Sequence, residues 1–105
     1  MPALAVQISR FVDEYQPGIV ECLFVDANGH RHLFIEKVPI VTTENLWSTS
    51  SYPRPGTIAG EVEAEWREDD GRVLARVNTE RPWGVESTTG ETHFVVLASE
   101  LQHDA

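Results

Sequence analysis

The chain has 105 residues, of which 41% are hydrophobic and 24% charged, and its formal net charge at pH 7 is −9. We expect one β domain spanning residues 1–105, since a chain of this length can bury a core of its own and the composition is that of a globular protein. The charge repels phosphate backbones, which argues against nucleic acid as a partner and favours a basic protein.

The single cysteine, Cys22, lies in an apolar run and has no second cysteine to pair with, so no disulfide within the chain is expected. Residues 1–11 have neither the positive charge nor the apolar length of a targeting leader, and no window approaches the roughly eighteen apolar residues of a membrane span. These features predict an unprocessed cytoplasmic protein with no membrane contact.

Alternating apolar residues between positions 4 and 12 predict a first strand whose buried face carries Leu4, Val6 and Ile8. Phe11 follows where a polar residue is due. We therefore expect a β-bulge near Ser9–Arg10 that returns Phe11 to the buried face.

The Asn-Gly dipeptide at position 28 joins two apolar runs, residues 19–27 and 30–38, and predicts a hairpin with a two-residue type I′ turn. That turn would place Leu23 opposite Phe34 and leave both faces of the hairpin apolar. One face would pack on the core, and the other would need a second cover.

The segment after this hairpin is a candidate cover. Residues 39–41 suggest a short edge strand, residues 43–47 one helical turn, and the proline-rich residues 48–56 a loop. The apolar side chains here, Leu46, Trp47 and Tyr52, would form either a lid over the hairpin or a docking surface for another chain.

The Asp-Gly dipeptide at position 70 predicts a central hairpin over Gly60–Thr79, again with a two-residue turn. Its expected buried face carries Val62, Ala64, Trp66, Val73, Ala75 and Val77. The opposite face carries an acidic stripe, Glu61, Glu63 and Glu65, which is either a solvated face or a docking strip for a basic partner.

Thr89-Gly90 predicts a last hairpin, residues 83–87 with 91–97, in which Glu86 faces His93, followed by a polar tail over residues 99–105. About six strands built from hairpins, with at most one helical turn near residues 43–47, predict an all-β fold. It would be either a small antiparallel barrel or a curled two-layer sandwich.

The sequence contains no nucleophile elbow, P-loop, Rossmann glycine pattern or zinc-knuckle spacing, so we predict no catalytic residues, no metal site and no cofactor. His30 and His32 would share one strand face, but a third metal ligand is not identifiable. Cys22 among apolar neighbours is expected to be an inert core thiol.

Large aromatic residues beside proline are either plugs at the ends of a barrel or interface anchors, and general burial preferences favour plugs. If they are anchors, the candidate binding residues are Trp47, Tyr52, Arg54, Trp83, Glu61, Glu63 and Glu65.

These features lead to three functional hypotheses. The first is a non-enzymatic interaction module, in a specific form an inhibitor or immunity-type protein for a basic partner. The alternative is a homo-oligomeric structural subunit, such as a homodimer, that buries Leu23, Val25 and Phe34 against a copy of itself. The third is a small-ligand or enzyme site at the mouth of a barrel.

Overall fold

The computed structural model describes residues 1–103, which form eight strands and two short helical segments. The strands are β1 (Pro2–Asp13), β2 (Ile19–Val25), β3 (Arg31–Lys37), β4 (Arg54–Ala59), β5 (Glu61–Arg67), β6 (Val73–Asn78), β7 (His93–Leu97) and β8 (Gln102–His103). The helix α1 (Val38–Val41) follows β3, and a 3-10 turn (Ala98–Glu100) follows β7.

The strands form two antiparallel sheets, so the all-β prediction is confirmed. The first sheet has the order β3-β2-β1-β4, with β8 paired to the start of β1, and the second has the order β5-β6-β7. Gly60 joins β4 of the first sheet directly to β5 of the second. Over residues 1–103 the sheets do not close into a barrel. Of the two predicted architectures, the structure therefore agrees with the two-layer sandwich and not with the barrel.

The first strand agrees closely with its prediction. Leu4, Val6 and Ile8 are buried, and the register between β1 and β2 shifts between Ile8 and Arg10, where a bulge was expected. Phe11 packs against the core as a result. The extra residue keeps the apolar alternation on one face despite the break in the sequence pattern.

The three predicted hairpin turns are each one residue longer than expected. The amide of Gly29 donates to the Asp26 carbonyl, and Gly71 and Gly90 likewise donate to the residue three positions earlier. All three glycines have positive φ, whereas no other residue type within positions 1–103 does, which excludes a type I′ turn. Each loop is instead a type I turn followed by a left-handed glycine.

This extra residue shifts the register of both predicted long hairpins by one position. In the β2–β3 hairpin, Phe34 pairs with Cys22 and is fully buried, while Leu23 pairs with Leu33 on the opposite face. The predicted Leu23–Phe34 pairing is therefore wrong, although the expectation of two apolar faces is right. A one-residue slip moves side chains to the other side of a sheet.

The central hairpin differs more from its prediction. Trp66 pairs with Leu74, and Ala64 pairs with Arg76, on the face opposite Ala75. Trp66 and Ala64 are therefore exposed, although both were predicted to be buried. β5 is an edge strand that is mostly exposed on both faces between positions 63 and 67. Of the β5 residues that were predicted to be buried, only Val62 packs against the core.

Three other segments also differ from their predictions. Residues 83–87 form no strand, and β7 pairs with β6 instead. The helical turn occupies Val38–Val41, where a proline fits the first turn of a helix, and not positions 43–47. The predicted polar tail includes the 3-10 turn and β8, while its last positions, 104 and 105, lie outside the described residues.

The core lies between the two sheets, where aromatic rings meet across the layers. Phe94 of β7 packs against Phe34 and Phe24 of the first sheet, with ring centroids 5.6 and 5.7 Å apart. Aliphatic residues from β1, β2, β4 and β6 complete this core. No helix within residues 1–103 has the length and apolarity that a membrane crossing requires.

Candidate functional site

A groove lies between the β1–β2 connection and the segment that follows α1. It has a volume of about 450 Å³ and adjoins a second hollow of about 270 Å³. Both hollows are lined by Gln16 and Pro17 on one wall and by Leu46 and Trp47 on the other. We call this surface the Trp47 groove.

The backbone of Trp47 is held by three hydrogen bonds that leave its side chain free. The amide donates to Ser50 Oγ at 2.9 Å, and the carbonyl accepts from the Ser50 amide at 3.1 Å and from Tyr52 Oη at 2.7 Å. The neighbouring Leu46 is buried and anchors the segment in the core, whereas the Trp47 side chain is 60% exposed. An exposed indole is thus presented on an ordered loop.

Two carboxylates border the Trp47 groove. Glu14 accepts a hydrogen bond from Ser48 Oγ at 3.1 Å, which ties the two walls together. Glu44 forms an ion pair with Arg54, and its amide donates to Thr42 Oγ1. Because Arg54 balances only one of the two acidic groups, the rim keeps a negative charge.

Three of the predicted binding residues lie together in this region. Trp47 and Tyr52 are joined by a hydrogen bond, and Arg54 contacts Glu44 within the same segment. Trp83, 63% exposed, lies on the β6–β7 connection of the other sheet. The expectation that Trp47 and Trp83 plug a barrel end is wrong, because both side chains are largely in solvent.

The acidic stripe does not persist as a single surface. Glu61 pairs with Asn78 and Glu65 with Ala75, and strand positions an odd number apart lie on opposite faces. A bulge at Glu63 separates them. Glu63 itself contacts Arg76 Nε at 3.4 Å and His93 Nε2 at 3.3 Å, so His93 pairs with this residue and not with the predicted Glu86.

A cluster around His32 was not predicted from the sequence. His32 Nε2 lies 2.8 Å from Asp26 Oδ2, and Nδ1 lies 3.0 Å from Glu91 Oε2. Its ring, 12% exposed, packs against Phe24 and Phe94. Only the doubly protonated ring donates to both carboxylates. The cluster links the tip of the β2–β3 hairpin to the loop before β7, and so joins the two sheets.

Asp26 is fixed from several directions. Its Oδ1 accepts from the amides of Asn28 and His30 at 2.9 and 3.0 Å, while Oδ2 faces His32. Burial alone would raise the pKa of Asp26, but the hydrogen bonds from His32 and the two amides outweigh it and lower that pKa below its ordinary value. A nearly buried, fully engaged carboxylate of this kind supports structure and leaves little room for a substrate.

Two other sets of reactive side chains, Cys22 and the histidines at positions 30 and 32, have surroundings that the structure defines. Burial, with smaller contributions from Glu36 and Glu21, raises the pKa of the Cys22 thiol to about 12, so it is protonated and unreactive at neutral pH. His30 and His32 both lie near Asp26, but no group of residues within positions 1–103 has the arrangement of a metal site. With the sheets unclosed, the predicted ligand site at a barrel mouth has no counterpart in the fold.

Sequence reasoning missed the wall that the β1–β2 connection contributes to the groove. Glu14 and Gln16 belong to a connection with no distinctive motif. Their closeness to Trp47 is a tertiary contact that local patterns do not encode. Comparisons of the chain with models of protein families, with curated proteins and with solved structures find no match.

Proposed function

We propose that this protein is a non-enzymatic interaction module in which the Trp47 groove binds an extended segment of a basic partner protein. The observation that supports this proposal is the 60% exposed indole of Trp47, held on an ordered loop beside a groove of about 450 Å³. Exposed tryptophans are frequent anchors of binding energy, and a preorganised anchor loses little conformational entropy on association.

The preference for a basic partner is based on charge. The chain carries a net charge of −9, and Glu14 and Glu44 border the groove. Such a field attracts cationic segments and accelerates their association, in a manner that salt screens. An inhibitor or immunity-type role toward a basic effector is the specific form of this proposal, because it requires little more than a small acidic protein with a preformed binding face.

Short fluorescent peptides that alternate arginine with leucine or valine provide a defined probe for this groove. We expect fluorescence polarisation to detect their binding at low ionic strength, with weaker binding as salt is added. Peptides with glutamate in place of arginine should not bind. Trp47→Ala should weaken binding by about thirtyfold, the loss typical of a central anchor residue.

Trp83→Ala is the matched control, since Trp83 is equally exposed but lies on the other sheet. It should bind the arginine peptides as the unmodified chain does. Equal weakening by the two substitutions would contradict the groove as the binding site. A complete lack of binding to arginine peptides at low salt, or equal binding of the glutamate peptides, would contradict the basic partner.

A further inference from the structure

A second surface, independent of the Trp47 groove, lies on the outer side of the first sheet. The register of β2 and β3 places Leu23, Val25, Leu33 and Ile35 on the face away from the core. Val25, Leu33 and Ile35 are 47%, 40% and 41% exposed. We call these four residues the outer apolar strip. The predicted lid does not cover it, because the segment that carries Trp47 packs beside the β1–β2 connection instead.

The outer edge of β3 is partly occupied. A partner is therefore more easily packed onto the face of the sheet than added as a further strand beside β3. The Leu33 carbonyl, at the centre of β3, accepts a hydrogen bond from the Thr88 amide at 2.8 Å. That contact occupies the backbone group that a new neighbouring strand would need. A partner that buries the outer apolar strip must therefore approach the flat side of the sheet.

The charges around the strip differ from those of the whole molecule. The register places Arg10, Arg31 and Lys37 on this face, together with Glu21 and Asp13. The face therefore has three positive and two negative groups, leaving five of the eight basic and fifteen of the seventeen acidic residues to the rest of the chain. Two copies of a strongly acidic protein repel each other least when faces of this composition meet.

We propose that the outer apolar strip is the contact surface of a weak, symmetric dimer of this chain. Glu21 already pairs with Arg10 on this face at 3.1 Å, which leaves Arg31 and Lys37 at the two ends of β3 and Asp13 on β1. A two-fold axis can bring Arg31 of one copy toward Asp13 of the other around apolar centres. A footprint of four strands by seven residues measures about 19 by 23 Å, so two such faces bury roughly 870 Å² in total, the range of weak, transient interfaces. The expected dissociation constant is on the order of 100 µM.

Sedimentation equilibrium over a range from low to several hundred micromolar protein tests this proposal. We expect the average mass to rise from monomer toward dimer. Added salt should strengthen the dimer, because it screens the repulsion between two molecules of charge −9, whereas the ion pairs across the interface are exposed and weak. The double substitution Leu33→Thr with Ile35→Thr should weaken association at least tenfold while keeping strand propensity.

The controls separate this proposal from the Trp47 groove. Trp47→Ala and Trp83→Ala should dimerise as the unmodified chain does, since neither residue lies on the strip, and circular dichroism should show that the double variant is folded. If the average mass stays that of a monomer at every protein and salt concentration, the proposal is overturned, and the strip must contact a different partner. Unchanged association of the folded double variant would overturn it as well.

Discussion

Replacing Asp26 with alanine tests whether the cluster around His32 stabilises the tip of the β2–β3 hairpin, which contacts the loop before β7 through His32 and Glu91. The substitution removes three hydrogen bonds at once, two from backbone amides and one from the His32 ring, at a side chain that is 10% exposed. Water can replace part of the amide bonds, while the contact between the Asp26 carboxylate and the His32 ring is nearly buried. We expect the free energy of unfolding to fall by about 3 kcal/mol, and the melting temperature by about 14 °C.

Urea denaturation followed by circular dichroism measures this loss directly. Asp70→Ala is the control, because the Asp70 carboxylate likewise accepts from a backbone amide at a hairpin turn, that of Arg72 at 3.0 Å, but it is exposed and contacts no buried ring. Its effect should be clearly smaller. Equal losses from the two substitutions would refute the view that the cluster around His32 stabilises the fold beyond an ordinary turn contact.

The effect of Asp26 should also depend on pH. Its pKa is lower in the folded chain than in the unfolded chain, so its contribution is complete above the unfolded value of about 3.9 and is lost as the pH falls through the folded value. The stability difference between the unmodified chain and Asp26→Ala should therefore narrow as the pH falls below about 4. A difference that persists unchanged in strong acid would contradict the role of the carboxylate charge.

Two further predictions concern buried groups. Thr79 is fully buried, and its hydroxyl donates to the Val85 carbonyl at 2.7 Å. Thr79→Val should leave that carbonyl without its donor and lower the free energy of unfolding, measured by urea denaturation, by about 1–3 kcal/mol. An unchanged free energy of unfolding would argue against this hydrogen bond. Cys22, whose pKa is raised to about 12 by burial, should react with iodoacetamide at mildly alkaline pH only after unfolding, and rapid labelling of the folded chain would show that the thiol is accessible.

The sequence identified where the hairpins turn but not how many residues each loop contains. A glycine after Asn28, Asp70 or Thr89 fits both a two-residue type I′ turn and a three-residue loop that ends in a left-handed glycine. The choice depends on the residue three positions before the glycine. Asp26 and Ser87 are residues that favour the first position of a type I turn, and they are the available signal for the longer loop.

The candidate site could be predicted only in part, because its two walls come from distant parts of the chain. Trp47, Tyr52 and Arg54 are close in sequence, and their shared segment was predicted as a possible docking surface. The opposite wall, around Gln16, is brought near by the packing of α1 and the β1–β2 connection, which no local pattern specifies. Trp47 is exposed because its neighbour Leu46 fills the core. The sequence does not indicate which of these two apolar residues is buried.

The open edge of β5 also affects how the chain behaves when many copies are present. An unpaired strand edge is a template on which other molecules can add strands, and this is a route to fibrils. Here the bulge at Glu63 interrupts the regular row of backbone donors and acceptors, and Glu61 and Glu65 present carboxylates on opposite faces. An incoming copy of β5 would meet like charge on either side. The acidic residues of this strand therefore protect the chain against ordered aggregation, whether or not they contact a partner.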